Sequence, residues 1–466
     1  MLRVAPVLSL FLFAAFAQAQ SPSVASPAVA AQLRDRALTD STAFDVVESL
    51  TTEVGPRLAG SPGARRAAEW GAAKLKALGF TNVRLEPYTV TAWERGAESA
   101  EILAPYPHRL VILGLGKTVS TPPQGIEAEA VVFPSLAEML AAPPGSLTGK
   151  IAIVTQKMTR TQDGSGYGAA VRARGIGASE AARRGAVAFM LRSVSTAENR
   201  SPHTGTMNYQ PDAPRIPAAA LSPSDADLID RMAARKRPIR IRLNLQNRTT
   251  ENAPAWNVVG EIRGREKPNE AVVIGGHLDA WDPGTGAHDD AAGIGITTAA
   301  AKLIGDLKRP PRRTIRVVMW GSEETGGAGA AYQKAHAGET PSTVIAGESD
   351  LGGDRAWALR LPAGAADAPQ LAPLPALLAP LKIFIHQEPA RFGGSDTEEL
   401  QEAGVPVFSF AQDAGRYFDW HHSPDDTLDK IDPEQLNQNV AAWAAFLWLV
   451  ADSDIDFRAL AAAEKK

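Results

Sequence analysis

The second half of the chain alternates between short apolar runs and longer amphipathic segments. This pattern predicts buried strands separated by helices. The predicted strands cover residues 271–275, 314–320 and 343–346, and the predicted helices cover residues 291–304 and 328–336. Strands that alternate with helices favour a mostly parallel mixed sheet with helices on both faces. The chain is therefore predicted to have an α/β fold.

Histidine and acidic residues follow each predicted strand. In a parallel α/β sheet, ligands bind outside the carboxyl ends of the strands, so side chains at these positions are candidates for one shared site. Acids placed at random would fall on helix faces as often as on strand ends. The candidates are His277 and Asp279 after the first strand, Asp289 and Asp290 in the glycine-rich turn that follows, Glu323 and Glu324 after the second strand, Asp350 after the third, and His421 and His422 ahead of the terminal helix.

These residue types favour a site for two zinc ions. The chain has no cysteine, so the available zinc ligands are imidazole nitrogens and carboxylate oxygens. His277 and Asp279 lie two residues apart, which places both side chains on one face of an extended backbone. Asp279 can then hold the second ring N–H of a metal-binding imidazole.

The adjacent acids Glu323 and Glu324 suit a division of roles, because neighbouring side chains cannot both point the same way. One can bind metal while the other acts as general base on the attacking water, which is what hydrolysis requires. Spacing alone does not decide between Asp289 and Asp290 as a ligand. It leaves the same choice open for the pair at 421–422.

Composition narrows the class of protein further. At 466 residues the chain is long enough for two or three domains. The formal net charge of −4 gives no basic excess for nucleic acid and no charge run for a membrane surface. The absence of cysteine excludes disulfides and suits a bacterial periplasm or secretion better than a small disulfide-rich extracellular domain.

The first residues have the pattern of a secretion signal. Arg3 supplies the positive start, residues 7–16 are nearly all apolar, and Ala17-Gln18-Ala19 fits a small-x-small cleavage site. A membrane anchor is the alternative, but the apolar run is short for a bilayer span. We expect a signal peptide over 1–19 and an exported protein, periplasmic or secreted.

The rest of the chain divides into three segments that differ in their secondary-structure patterns and in their content of metal-ligand residue types. Residues 20–126 are predicted to be the N-terminal part of the catalytic domain, with helical spacing over 33–50. Residues 127–247 contain short strand and helix patterns and a single histidine, His203, without a cluster of metal-ligand types, so they are predicted to form an insert domain. Residues 248–466 are predicted to be the catalytic domain proper.

Taken together, the motifs at 277–279, 289–290, 323–324, 350 and 422–427 resemble the co-catalytic dizinc exopeptidases. That family includes bacterial aminopeptidases and glutamate carboxypeptidases. The segments 55–61, 281–282 and 392–396 are similar to those of the carboxypeptidase Q (plasma glutamate carboxypeptidase) subgroup. The resemblance covers nearly the whole mature chain. It implies a three-layer α/β sandwich with a β-rich protease-associated insert domain.

The resemblance also implies a role for each residue of the site. A water bridged by two zinc ions would be the nucleophile. Asp289 would bridge the ions, with His277 and Asp350 on one ion and Glu324 and His422 on the other. Glu323 would be the general base, and Asp279 a second catalytic residue. The candidate substrate contacts are Gly394, Ser395, Asp396, Tyr417 and Arg391.

The expected function is a zinc metallopeptidase that hydrolyses small peptides as a dipeptidase or carboxypeptidase. Arg391 and Arg416 are candidate partners for a substrate carboxylate. The alternatives are an aminopeptidase of the same family, a non-peptidase amidohydrolase or glutaminyl cyclase, and a non-catalytic binding relative. Expected partners are small peptides, with no nucleic acid and no membrane after signal removal. A homodimer is kept open beside a monomer.

Overall fold

The structure is a computed structural model that describes residues 25–464. The predicted signal peptide lies outside the described residues. The helices are α1 (Pro27–Ala37), α2 (Thr42–Ser49), α3 (Pro62–Ala77), α4 (Leu136–Ala141), α5 (Ser165–Arg183), α6 (Pro223–Ala233), α7 (Ala292–Gly305), α8 (Ala328–Ala335), α9 (Leu374–Leu378), α10 (Glu398–Glu402), α11 (Pro433–Ala451) and α12 (Phe457–Glu464). The strands are β1 (Thr81–Ala104), β2 (His108–Leu110), β3 (Ile112–Gly114), β4 (Ile126–Phe133), β5 (Ile151–Val154), β6 (Ala188–Arg192), β7 (Ala218–Leu221), β8 (Ile239–Ile262), β9 (Lys267–His277), β10 (Arg313–Trp320), β11 (Thr343–Glu348), β12 (Ala356–Arg360), β13 (Phe384–Ile385) and β14 (Ser409–Gln412).

The helical pattern over 33–50 forms two helices, so the prediction of one continuous segment is wrong. α1 ends at Ala37 and α2 begins at Thr42. Asp40 lies between them, and its side chain accepts a hydrogen bond from the Thr42 backbone N–H at 2.9 Å. Aspartate readily bonds to nearby backbone in this way, which stops one helix and begins the next.

The half of the sheet that carries the predicted site residues is built on four adjacent strands in the order β11-β9-β10-β8. β9 lies between β10 and β11 and runs parallel to both, whereas β8 is antiparallel to β10. Alternate residues of these strands enter two separate cores, as the two-residue period of a strand requires. Val272 and Ile274 pack under α2, α7 and α11, whereas Val273 packs on the other face with α8 and α10.

The same sheet continues into a second half in the order β8-β4-β5-β6-β7-β3. β5 and β6 again have cores on both faces, one with α4 and α5 and the other with α6. The 24-residue strands β1 and β8 pair antiparallel along most of their length and connect the two halves. The segments predicted as 20–126, 127–247 and 248–466 stay a prediction, although β3, inside the first of them, pairs with β7 of the second.

α11 is the central helix of the larger core. Trp443, Phe446 and Leu447 on this helix are each at most 1% exposed, so it is buried around most of its circumference. Among residues 25–464, no helix combines the length and the apolar character that crossing a membrane would require. α11 packs against β9, β10 and β12 and so covers one face of the sheet.

Removing the Trp443 side chain should destabilise the fold. The indole is 1% exposed and lies with its ring centroid 5.1 Å from that of Phe408 and 5.4 Å from that of Phe410. Trp443→Ala should lower the free energy of unfolding by about 3–5 kcal/mol because a large cavity is left. Phe384→Ala is the control, since Phe384 is 52% exposed and its loss should cost less than about 1 kcal/mol. Chemical unfolding measures both, and equal losses would contradict this account of the core.

Candidate metal centre

Three parallel strands bring the predicted site residues to one edge of the sheet. His277 is the last residue of β9, Glu324 lies four residues beyond the end of β10, and Asp350 lies two residues beyond the end of β11. Because β9 lies between β10 and β11, the loops after these strands meet. The site therefore lies where a parallel sheet places its ligands.

Asp289 lies at the middle of the cluster. Its Oδ1 is 2.9 Å from His277 Nε2, and its Oδ2 is 3.1 Å from His422 Nε2. On the first side, His277 Nε2 is also 3.4 Å from Asp350 Oδ1. On the second side, His422 Nε2 is 3.0 Å from Glu324 Oε2. The structure thus brings together all five predicted ligands, in two groups that share the Asp289 carboxylate.

Asp290 has a different environment from its neighbour. Its Oδ2 accepts a hydrogen bond from the His277 backbone N–H at 3.0 Å, and its Oδ1 accepts one from Gly293 N–H at 3.1 Å. Gly293 must be small, because a Cβ there would lie 1.9 Å from the Ser349 carbonyl oxygen and 2.4 Å from Asp290 Oδ2. The carboxylate of Asp290 therefore holds backbone, while that of Asp289 faces the cluster.

The two histidines of the 421–422 pair stack on one another, with ring centroids 3.5 Å apart. His422 approaches both Asp289 and Glu324 at about hydrogen-bond distance, whereas His421 Nε2 is 3.7 Å from Asp289 Oδ2. His422 has a φ of 62°, in the left-handed region that few residues other than glycine adopt. The geometry favours His422 over His421 as the ligand.

Asp279 connects the first histidine to the candidate base. The nearest acceptor for His277 Nδ1 is the Asp279 backbone carbonyl at 2.9 Å, with the carboxylate at 3.7 Å. The sequence had predicted the carboxylate for this contact. Instead, Asp279 Oδ1 accepts a hydrogen bond from the Glu323 backbone N–H at 2.9 Å. Asp279 therefore fixes the backbone that carries Glu323.

The carboxylates of the site are crowded and buried, and their pKa values show it. Burial raises the pKa of Glu324 to about 7, with His422 opposing the rise and Asp289 adding to it. Burial, followed by repulsion from neighbouring acids, holds the pKa of Glu323 well above its usual range. Burial also raises the pKa of Asp350. An accumulation of negative charge of this kind is relieved by bound cations.

The donor set fits zinc. It offers two imidazoles and three carboxylates, which are nitrogen and oxygen ligands that zinc accepts. Burial disfavours protonation of His277, but the Asp350 carboxylate and the other neighbouring acids raise its pKa well above the usual value. Glu324 Oε1 is buried without a hydrogen-bond partner among the described residues, which leaves an oxygen free for an ion. A divalent cation satisfies both the charge and the open oxygen.

The predicted substrate residues fall in three places. Tyr417 and Ser395 line a cavity of about 660 Å³. Four of the five predicted ligands, a group that we call the metal cluster, also line this cavity, and His277 does not. Gly394 and Arg391 line a second cavity, which shares Asp350, Leu351 and Phe392 with the first. Asp396 is 4% exposed, and its Oδ1 accepts the Gly329 N–H at 3.0 Å, so it supports α8 and does not line either cavity.

Two residues that were not predicted to belong to the site hold the loop around Asp289 in place. Asp426 accepts hydrogen bonds from the backbone N–H groups of His288 at 2.7 Å and Asp289 at 3.1 Å. Arg57 is fully buried and donates to the carbonyl oxygens of Gly55, Leu278, Thr285 and Gly286. The motif around Arg57 was a visible signal, but the sequence did not show whether this arginine reached the site or supported a loop.

A further group of residues was missed because it lies far away in sequence. Lys117, Tyr167, Arg172 and Arg174 all line the cavity with the metal cluster. Tyr167, Arg172 and Arg174 belong to the segment 127–247, which has no cluster of metal-ligand types, and Lys117 lies ten residues before it, so nothing in their local sequence indicated a place in the site. The fold alone brings this second half over the cluster.

Comparison with known proteins shows the family of this chain. The profile of peptidase family M28 matches residues 257–447. The chain is 39% identical to carboxypeptidase Q of Bos taurus over 410 residues, which are 88% of this chain and 85% of that protein. The chain belongs to peptidase family M28. Carboxypeptidase Q of Homo sapiens is 37% identical over 412 residues, which cover 88% of this M28 chain and 85% of the human protein.

Solved structures place the fold in the same family. A crystal structure of a peptidase M28 precursor from Shewanella amazonensis SB2B has a TM-score of 0.90 and 45% identity, and the match covers 92% of this chain and 97% of that one. The zinc aminopeptidase BSAP from Bacillus subtilis has a TM-score of 0.62 at 18% identity, over 87% of this chain and 94% of that one, which shows likeness of fold. The predicted α/β fold, family and enzyme class, a zinc metallo-exopeptidase, are confirmed. The individual roles of the site residues stay predictions.

Replacing Arg57 should destabilise this M28 peptidase, because Arg57 holds the loop that carries Asp289. A lysine cannot reach the several carbonyl oxygens that the guanidinium fork contacts, so some are left buried without donors. Arg57→Lys should lower the free energy of unfolding by about 3 kcal/mol. The matched control is Arg65→Lys, where the side chain is 69% exposed and the change should stay within about 0.5 kcal/mol. Thermal unfolding compares the two; indistinguishable melting temperatures would rule out the supporting role of Arg57.

Proposed function

We propose that this chain hydrolyses the peptide bonds of small peptides as a dipeptidase or carboxypeptidase with two zinc ions. The observation that carries the proposal is the pair of ligand groups on either side of Asp289. One carboxylate whose two oxygens face two separate histidines, at 2.9 Å and 3.1 Å, is the arrangement that a bridging ligand needs. The carboxypeptidase Q relatives supply the substrate class by analogy.

His277 and Asp350 would hold one ion, Glu324 and His422 the other, and Asp289 both. When bound, the ions would lower the pKa of a water and polarise the carbonyl of the scissile bond. They would also offset the carboxylate charge that raises the pKa of Glu323, since a nearby positive charge favours the ionised form. The bound ions would therefore favour the ionised form of the base.

Glu323 would act as the general base. It lines the cavity beside the proposed ligands, and its backbone is fixed by the hydrogen bond to Asp279. The carboxylate would take a proton from the attacking water and return it to the leaving amine, so that the base is regenerated in each cycle. Asp279 would contribute by holding both the Glu323 backbone and the His277 ring in position.

The size and position of the cavity support a small substrate. Its volume of about 660 Å³ is that of a small-molecule pocket, and residues of α5 and of the loop at 206–208 line it opposite the metal cluster. A dipeptide fits such a space, whereas a folded protein does not. We also propose that residues 1–19 direct export, to the periplasm or beyond the cell. Small peptides as partners and a homodimer stay predictions.

Glu323→Gln should reduce kcat for a free dipeptide by about 10²- to 10⁴-fold, because an amide cannot accept the proton. Zinc content should stay that of the wild type, since Glu323 is not one of the proposed ligands. The control is Glu69→Gln, at an exposed site on α3, which should leave kcat unchanged. Steady-state hydrolysis with free, N-acetylated and C-amidated dipeptides measures the effect. Full activity of Glu323→Gln would remove the proposed base. Cleavage of the free and C-amidated dipeptides, but not of the N-acetylated one, would reassign the chain as an aminopeptidase.

The two histidines at 421–422 should differ in their effect on bound zinc. His422→Ala should reduce the zinc content from about two ions per chain to about one, because His422 faces both Asp289 and Glu324. His421→Ala should keep close to two, because its ring nitrogen is 3.7 Å from Asp289 and stacks behind its neighbour. Atomic emission on dialysed protein measures both. The reverse order would make His421 the ligand.

A further inference from the structure

The cavity that contains the metal cluster has an uneven distribution of charge. Each carboxylate that lines it is one of the proposed ligands or the proposed base. The cationic side chains that line it all come from the other half of the sheet. They are Lys117, Arg172 and Arg174. The wall facing the metal cluster is therefore positive, which favours an anionic group on the substrate.

Arg174 and Lys117 differ in how many hydrogen bonds their charged groups make within the protein. Arg174 is 7% exposed, and its guanidinium donates to the Thr206 carbonyl oxygen at 3.2 Å and to the Tyr167 hydroxyl at 2.6 Å. Lys117 Nζ has one hydrogen bond, to the Thr325 carbonyl oxygen at 3.0 Å. Within residues 25–464, no carboxylate lies within ion-pair distance of it. Its ammonium therefore keeps donors for another partner.

The placement of Lys117 requires an unusual backbone. Its φ is 69°, in the left-handed region, which costs a residue with a side chain about 1 kcal/mol relative to glycine. The preceding residue, Gly116, packs against the Trp281 indole, and a Cβ there would lie 2.0 Å from the ring. This tight turn directs a half-buried ammonium at Thr325, the residue after Glu324. Burial lowers the pKa of Lys117, as expected for a charge without a counterion.

We propose that Lys117 binds the C-terminal carboxylate of the peptide substrate, with the exposed Arg172 as a second cationic contact, and so selects peptides with a free C-terminus. The assignment rests on the proposed peptidase function. The hydrogen bond to Thr325 places the ammonium beside the turn that carries Glu323 and Glu324. In a dipeptide the free carboxylate lies one residue beyond the scissile carbonyl, so a carboxylate anchor must line the same cavity as the base, as Lys117 does.

The arginines expected to serve this purpose from sequence are placed elsewhere. Arg416 pairs with Asp354 through two hydrogen bonds of 2.5 Å and 3.0 Å. Arg391 lines the neighbouring cavity and not the one that contains Glu323. An amine-binding acid is also missing from the lining, because its carboxylates all belong to the proposed metal cluster and base. The charge pattern thus favours a carboxylate over an amine at this position.

The test compares alanyl-leucine with alanyl-leucine amide as ligands of the zinc-loaded protein. Binding is measured by calorimetry in the Glu323→Gln background, where turnover does not interfere. Lys117→Gly removes the ammonium and suits the left-handed φ, so the fold should be retained. It should weaken binding of the free acid by roughly 10- to 100-fold and leave the amide unchanged, as loss of a charged hydrogen bond predicts. In the enzyme with Glu323 intact, KM for the acid should rise more than kcat falls.

Lys236→Gly is the matched control. Lys236 also has a positive φ, of 56°, but is exposed on a turn after α6 and lines none of the cavities described above, so the preference for the acid should persist. Lys117→Arg, which keeps the charge, should retain part of that preference. Two results would overturn the proposal. One is that protein with Lys117 binds alanyl-leucine and alanyl-leucine amide with equal affinity, and the other is that Lys117→Gly still binds the free acid more tightly than the amide. Failure of hydrolysis with an intact binding preference would instead count against the proposed peptidase chemistry alone.

Discussion

The concentration of buried negative charge at the end of β9 governs the rest of the site. Asp289, Glu323, Glu324 and Asp350 line one cavity, and burial raises the pKa of the last three. Carboxylates are kept this close only where cations or cationic side chains compensate them. His277 and His422 can carry at most two positive charges against these four carboxylates, so they cannot balance the negative charge alone. The site is therefore organised for metal ions.

The loops that carry these carboxylates must be rigid to keep them in one geometry. Hydrogen bonds between buried side chains and the backbone of the loops provide much of this rigidity. Asp426 accepts two N–H groups of the loop that carries Asp289, and Asp290 accepts two more on the other side. Arg57 fixes the carbonyl groups of the same loop from behind. The charges of Arg57 and Asp426 are both fully enclosed, so each is costly unless its bonds are made. The positions of the proposed metal ligands thus depend on residues outside the ligand set.

The sequence predicted the strands around the site well, because the patterns that indicate them lie within short stretches of the chain. The β/α alternation placed β9, β10 and β11 and their following acids within a few residues of where they lie. Elsewhere local signals were ambiguous. A helical period over 33–50 did not show the break at Asp40, and His-x-Asp spacing did not show that the Asp279 carbonyl, and not its carboxylate, is nearest to His277. Such details depend on which backbone groups are left unpaired, which tertiary structure decides.

The amino-acid sequence by itself determined the fold class, the donor types and the family resemblance, since periodicity, the lack of cysteine and motif spacing are all properties of the linear chain. Only the tertiary structure decided that the two ligand groups meet on Asp289, that Asp290 and Asp426 serve backbone, and that Lys117 faces the site from the other half of the sheet. The physical reason is distance in sequence. Lys117 and Glu324 are brought to one cavity by the long pairing of β1 with β8, and no local pattern records such a contact.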